Sequence, residues 1–229
     1  MFADNSPPKM PQLPLFILEE TTGTLELFPS VWNAMENLTV SDVDIRHQAL
    51  DKLLELNAPR FSPIVTYLLV TRLTDPDPLF RKRVVLALGS ILSVDENGLP
   101  APDEVRSSMV QYLSQVRTRQ VYAMLQVADE DEMSVDQVAR LLDACPYAGN
   151  HLIDILNDQK ASLGVRRMAA VMIGKVGYLD ALPSLEKLQI RLEARLNGQK
   201  AMPFAPPPIT NEADLLPSIH HSIYLLRAP

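Results

Sequence analysis

The chain has 229 residues, 47% hydrophobic and only 6% aromatic, with 8 glycines, a balance that suits helices packed through Leu, Ala and Val better than sheets. A formal net charge of −7 leaves no general attraction to nucleic acid or anionic membranes. The single cysteine, Cys145, excludes an internal disulfide framework and fits a reducing compartment.

Residues 1–14, MFADNSPPKMPQLP, hold four prolines and few core-forming side chains, which predicts an extended arm. The apolar runs 15–18 and 25–28 read as a strap or fold-back cap over the first helices, with a short hairpin turning at Gly23 as the alternative. The first run is too short and poorly flanked for a secretory signal, and no apolar stretch is long enough to span a bilayer. A cytoplasmic protein is therefore expected.

A first helix starts after Pro29 and carries Val31, Trp32, Met35 and Leu38, with Trp32 expected to pack in an end cap. Ser41 and Asp42 cap a second helix that runs from Arg46 through Leu56. The best-defined unit spans 63–92. Its apolar helix (Ile64, Leu68, Leu69, Leu73) breaks at Asp75-Pro76-Asp77-Pro78, and Arg81, Val84, Val85, Leu88 and Ile91 then follow at the spacing of a one-sided helix. Asp75 is placed to cap backbone donors, and Pro78 suits a first helical turn. Such an antiparallel hairpin leaves apolar surface on both flanks, so it needs neighbours of its own kind.

Beyond a loop at 93–103, helices are expected at about 103–114 and 117–128. The acidic run 129–132 reads as a solvated loop, and Ser134 with Gln137 forms a capping-box pattern for a helix ending near Asp143. Further helices are expected at about 148–157, 162–176 and 180–196, with Gly177 ending one and Asp180 capping the next. Residues 197–212 form a proline-rich linker before a last helix, 213–229, that carries Leu215, Leu216, Ile219, Ile223 and Leu226.

One pattern recurs. Arg46/Ala49/Leu50/Leu53, Arg81/Val84/Val85/Leu88 and Arg166/Ala169/Ala170/Ile173 each set an arginine before small or apolar residues at +3, +4 and +7, and Gly89 and Gly174 share position +8. A weaker copy starts at Arg117, with Val121 and Met124 but Gln120 at +3. Steps of 35 and 36 residues separate the first three copies, a period of stacked helix pairs. The longer step from Arg117 to Arg166 places an irregular unit in the middle.

On these residues, 63–92 resemble a HEAT repeat, and 162–188, SLGVRRMAAVMIGKVGYLDALPSLEKL, are similar to the short HEAT-like repeats of bacterial proteins, including phycobiliprotein lyases. The resemblance covers roughly 29–196. It implies an all-α fold, an α–α superhelix or solenoid of antiparallel helix pairs, set between the arm at 1–28 and the linker and terminal helix. It also implies that Arg46, Arg81 and Arg166 form a structural ladder with turn residues, Asp75 being the expected partner of Arg81.

Chemistry-bearing motifs are few. The sequence holds no Gly-rich phosphate loop, no zinc-type Cys/His spacing and no His-Glu-x-x-His, and its histidines (47, 151, 220 and 221) are scattered. No catalytic residue, metal ligand or cofactor is expected. HEAT-like di-iron hydroxylases carry His-Glu pairs, which this chain lacks, and HEAT-like DNA glycosylases use a basic surface at odds with its acidity.

At 100° per residue, offsets +2, +5 and +9 from each arginine point away from the apolar stripe, toward the face that is concave in a HEAT solenoid. They select a candidate partner-binding groove of Arg83, Leu86, Arg119, Tyr122, Gln126, Met168, Val171 and Lys175. Its apolar members read as a docking site for a peptide or helix, and cover by a neighbouring helix or by one of the chain's arms is the equal alternative. The expected function is a non-catalytic scaffold or adaptor for a protein partner. The alternatives are a bilin-handling protein like the lyases and, at greater distance, a nucleic-acid binder.

Overall fold

The computed structural model describes residues 25–200 and 212–228. The arm expected at 1–14, the apolar run 15–18 and most of the linker lie outside them. The described residues form twelve α-helices and no strand. In order these are α1 (Pro29–Asn37), α2 (Val43–Glu55), α3 (Ala58–Phe61), α4 (Pro63–Thr71), α5 (Pro78–Ile91) and α6 (Asp103–Leu113). They continue as α7 (Thr118–Glu130), α8 (Val135–Asp143), α9 (Ala148–Asn157), α10 (Leu163–Val176), α11 (Leu182–Lys200) and α12 (Leu216–Arg227).

Local chemistry accounts for most boundaries. Asp42 caps α2 by accepting from the amides of Asp44 and Ile45, and Ser62 caps α4 through the Val65 amide. In the central turn the cap of α5 is Asp77, which accepts from the Phe80 amide at 2.6 Å, while Asp75 accepts from the Asp77 amide at 3.0 Å. Gly177, at φ 89°, ends α10 as expected. Several expected details differ. Residues 25–27 form a 3-10 turn rather than half of a hairpin, α11 extends to Lys200, and Asp180 lies in a 3-10 turn with no cap bond. The Ser134 hydroxyl donates to Asp131 instead of capping α8. Trp32 is 53% exposed, because Val31, Ala34, Met35 and Leu38 fill the buried side of α1, and its indole donates to Glu36 at 2.8 Å.

The short α3 was not foreseen. Asn57, left-handed at φ 51°, reverses the chain after α2, and Arg60 of α3 then donates to the carbonyls of Ser90, Ser93 and Leu99. One buried guanidinium thus ties down both ends of the 93–102 loop.

Counting from the residue that caps α2, α5, α7, α8, α10 and α12, positions +7, +8 and +11 are buried in every case (Cys145, just past α8, is its +11), and +4 is buried in all but α5, where it is the half-buried Arg81. In α2 these are Arg46, Ala49, Leu50 and Leu53; in α12, Ile219, Ser222, Ile223 and Leu226. In α7 they are Val121, Met124, Leu125 and Ala128, all buried. This corrects the position of Arg117. It caps α7 through its backbone, four residues before the place that Arg46, Arg81 and Arg166 occupy, so Val121 is the true counterpart.

The helices pack as neighbouring pairs, α1 with α2, α4 with α5, α9 with α10 and α11 with α12. The second helices also meet in succession, α2 on α5, α5 on α7, α7 on α10 and α10 on α12. The irregular middle is α8, which packs against α5, α7 and α10 together. The two shared +8 glycines mark close approaches. A Cβ on Gly89 would lie 2.4 Å from the Gln137 side chain of α8, and one on Gly174 would lie 2.7 Å from the Ser222 backbone of α12. The acidic run after α7 is not a solvated loop, since Asp129 pairs with Arg167 and Asp131 with Lys82, tying α7 and its exit to α10 and α5.

Two buried charge pairs join one unit to the next. Arg46 donates to the Val40 and Ser41 carbonyls of its own turn, and its Nη2 reaches the Asp75 carboxylate before α5 at 3.0 Å. Arg166 donates to the Leu156 carbonyl, and its Nη1 reaches Glu212 before α12 at 2.9 Å. All four side chains are nearly excluded from solvent. Arg81 bonds the turn at Asp75 as expected, but through the backbone and not the carboxylate. That carboxylate belongs to Arg46, and Arg81 donates to the backbone carbonyls of Asp75 and Pro76 at 2.8 and 3.2 Å.

Removing one partner of a buried pair strands the other charge, at a cost of about 3–5 kcal/mol. Asp75→Ala is expected to destabilise the chain on that scale in urea unfolding, while Asp51→Asn, at the exposed Asp51–Arg83 pair, should stay within about 1 kcal/mol. At Glu212, burial pushes the carboxyl up, but the hydrogen bonds and charges of Arg166 and Arg195 outweigh it and hold the group below its ordinary value of 4.5. Its contribution is complete above that value and is lost as pH falls through the lowered one. Thermal unfolding should therefore show Glu212→Gln less stable than wild type near neutrality, with the gap closing in acid; a gap constant with pH would contradict the pairing.

Candidate functional site

Helix α7 has two faces. Val121, Met124, Leu125 and Ala128 enter the core, and Arg119, Tyr122, Ala123 and Gln126, at i, i+3, i+4 and i+7 from Arg119, form a second stripe. That stripe faces the turn between α4 and α5. The two enclose a cleft of about 220 Å³, walled by Thr74, Asp75, Pro76 and Arg81 on one side and the α7 stripe on the other.

The cleft is basic in an acidic protein. Arg119 is exposed and makes no ion pair among the described residues, and Arg81, on the other wall, has no carboxylate partner among them. The one acid in the wall, Asp75, is already engaged by Arg46 and by the Asp77 amide. Arg46 also lies over the Phe80 ring, 5.6 Å from its centre, which holds the guanidinium in place behind the turn.

The eight residues selected from the sequence do not share one surface. Arg119, Tyr122 and Gln126 line the cleft together, joined by Arg81, which the sequence reading assigned to the ladder alone. Arg83 is set apart. It donates to His47 Nδ1 at 2.8 Å and pairs with Asp51, and His47 Nε2 meets Asp77 at 3.2 Å. His47 thus bridges Arg83 and the cap of α5, one ring nitrogen facing each. The Phe80 amide bond, with help from His47, holds the Asp77 carboxyl below its usual range.

Leu86 is 36% exposed on α5, and Val171 is half-buried against the core. Met168 is only 9% exposed and belongs to the core, so it has little surface to offer a partner. Lys175 pairs with Asp136 of α8 at 2.9 Å across a second, open hollow shared with Ala139, Arg140 and Asp143. Two causes separate the set. The offsets for α7 were counted from Arg117, four residues early, and α8 packs on α5, α7 and α10 where a continuous groove was expected.

The signal for Arg81 was present in the sequence. Residues 114–117, Ser-Gln-Val-Arg, contain no acid at the turn before α7, where the turn before α5 has Asp75. Elsewhere, Cys145 is a buried thiol that donates to the Leu113 carbonyl, and burial pushes its pKa up. Burial likewise raises Tyr178, whose hydroxyl donates to the Leu142 carbonyl. Both bonds fasten the irregular middle to its neighbours. Among the described residues no three His, Cys, Asp or Glu side chains gather to hold a metal ion, and no helix is long and apolar enough to cross a membrane.

Comparison with protein-family profiles, with curated proteins and with solved structures finds no match, so the meaning of the cleft rests on its own geometry.

Proposed function

We propose that the chain is a non-catalytic HEAT-like helical-repeat scaffold that binds a segment of a partner protein at the cleft between the α4–α5 turn and α7. The repeat reading is supported by one buried stripe recurring on six helices and by buried arginine–acid pairs linking consecutive units. A superhelical stack of helix pairs is the arrangement in which such links recur from unit to unit. A reducing, cytoplasmic setting suits the buried thiol of Cys145.

The observation that carries the binding role is the second face of α7. Arg119, Tyr122 and Gln126 are spaced as one stripe, outside the fully buried face of α7, and line a cleft against the α4–α5 turn and the start of α5; Tyr122 also packs partly on the core. Arginine and tyrosine at the edge of a cleft are the residue types enriched where protein partners bind.

A photoreactive phenylalanine analogue in place of Tyr122, installed in the native cell, is expected to crosslink a discrete partner. The link should be lost with Arg119→Glu and absent when the analogue replaces Tyr224 of α12, an exposed position on a different helix. Links confined to the chain itself would overturn the scaffold reading. So would saturable binding of duplex DNA or of a bilin by the purified chain.

A further inference from the structure

We infer, resting on the scaffold reading above, that the cleft is a carboxylate site: it takes an Asp or Glu side chain of an acidic partner segment, in the place of a missing ladder acid. The two complete rungs share one design. A guanidinium first donates to backbone carbonyls of the preceding turn or helix end, and its far edge then meets a carboxylate that precedes the next stacked helix. Arg81 makes only the first half. It holds the Asp75 and Pro76 carbonyls, and its Nη2 has no acceptor among the described residues.

The turn before α7 supplies no acid, and the capping-plus-four position of α7 is Val121 instead of arginine. The ladder is thus interrupted on both sides of α7, and the first of the two gaps, between α5 and α7, opens into the cleft. There Arg119 stands with no ion pair among the described residues, so two guanidinium groups meet a wall whose one carboxylate is already engaged. Tyr122 and Gln126 add a hydroxyl and an amide on the same helix face. A guanidinium next to a second one is the arrangement that binds a carboxylate by charge-assisted hydrogen bonds.

Size and charge narrow the occupant. About 220 Å³ is smaller than the roughly 300–1,000 Å³ of sites that enclose small molecules, and it suits one side chain. A polyanion such as nucleic acid would be repelled at longer range by a net charge of −7, whereas a short acidic segment brings its charge to the one basic spot.

The test uses the full chain and a fluorescein-labelled peptide with a single glutamate among glycines and serines, with its glutamine counterpart as the uncharged control and inorganic phosphate and free glutamate as competitors, read by fluorescence anisotropy at low salt. Saturable binding of the glutamate peptide and not of the glutamine peptide is expected. Arg119→Gln and Arg81→Met should each weaken it by about tenfold or more, the scale of a lost charged hydrogen bond. Arg140→Gln, the same charge change in the other hollow, should leave it unaltered. Arg119 is exposed, so its variant reports on binding even where Arg81→Met disturbs the turn.

Equal weakening by Arg140→Gln, or displacement by phosphate at lower concentration than by free glutamate, would overturn the inference. Failure of the native chain to bind would overturn it as well. If binding then appeared in a Glu19→Gln, Glu20→Gln variant, the occupant would be the chain's own N-terminal segment. A partner that still crosslinks at position 122 and is indifferent to Arg119→Gln would leave the scaffold reading standing and remove only the carboxylate assignment.

Discussion

Two junctions between successive units depend on a charge buried between them. A guanidinium excluded from water is costly unless it is paired and hydrogen-bonded, and Arg46 bonds its own turn through Nη1 and Asp75 through Nη2. The pair therefore joins α2 to the turn that starts α5. Arg166 and Glu212 repeat the arrangement between α10 and the start of α12. Because Asp75 also bonds the Asp77 amide and Asp77 caps α5, one short turn sets the start of a helix and its attachment to the preceding unit. Such coupling between unit and neighbour is what allows pairs that cannot bury their apolar flanks alone to become a single body.

The site arises where that pattern lapses. A guanidinium with backbone partners only, a turn already closed by its own carbonyl bonds, and the partly exposed face of α7 meet at one cleft. A second lapse is α8, an extra helix on the same capping-plus-four stripe as the others, which seats on α5, α7 and α10. Glycine at position 89 permits the close contact with Gln137, and Asp136 meets Lys175 on the far side. The protein thus fills with its own helix part of the surface that a regular array would leave open, and the cleft at the α4–α5 turn remains.

Much was legible in the sequence because it is local. The spacing of apolar residues, the Asp-Pro-Asp-Pro break and the glycine after α10 belong to single segments, and α1, α5, α9 and α10 lie where that chemistry placed them. The recurring arginine likewise marked the buried stripe. What failed was phase. Arg117 imitates the ladder arginine, yet the start of α7 is decided by Gln120 bonding back to the Arg117 amide and by which face meets α5 and α10.

By itself the sequence determined an all-helical chain, the approximate spans of most helices, the Asp42 cap of α2 and the Gly177 end of α10, and the apolar face of several helices, since these depend on neighbours within a few turns. Only the tertiary structure decided that the Asp75 carboxylate serves Arg46 rather than Arg81, that Met168 is core, and that Asp129 and Asp131 pair with Arg167 and Lys82. Those outcomes join residues about 30 to 50 positions apart, and which buried charge meets which is set by how whole helix pairs stack, a quantity with no local signature.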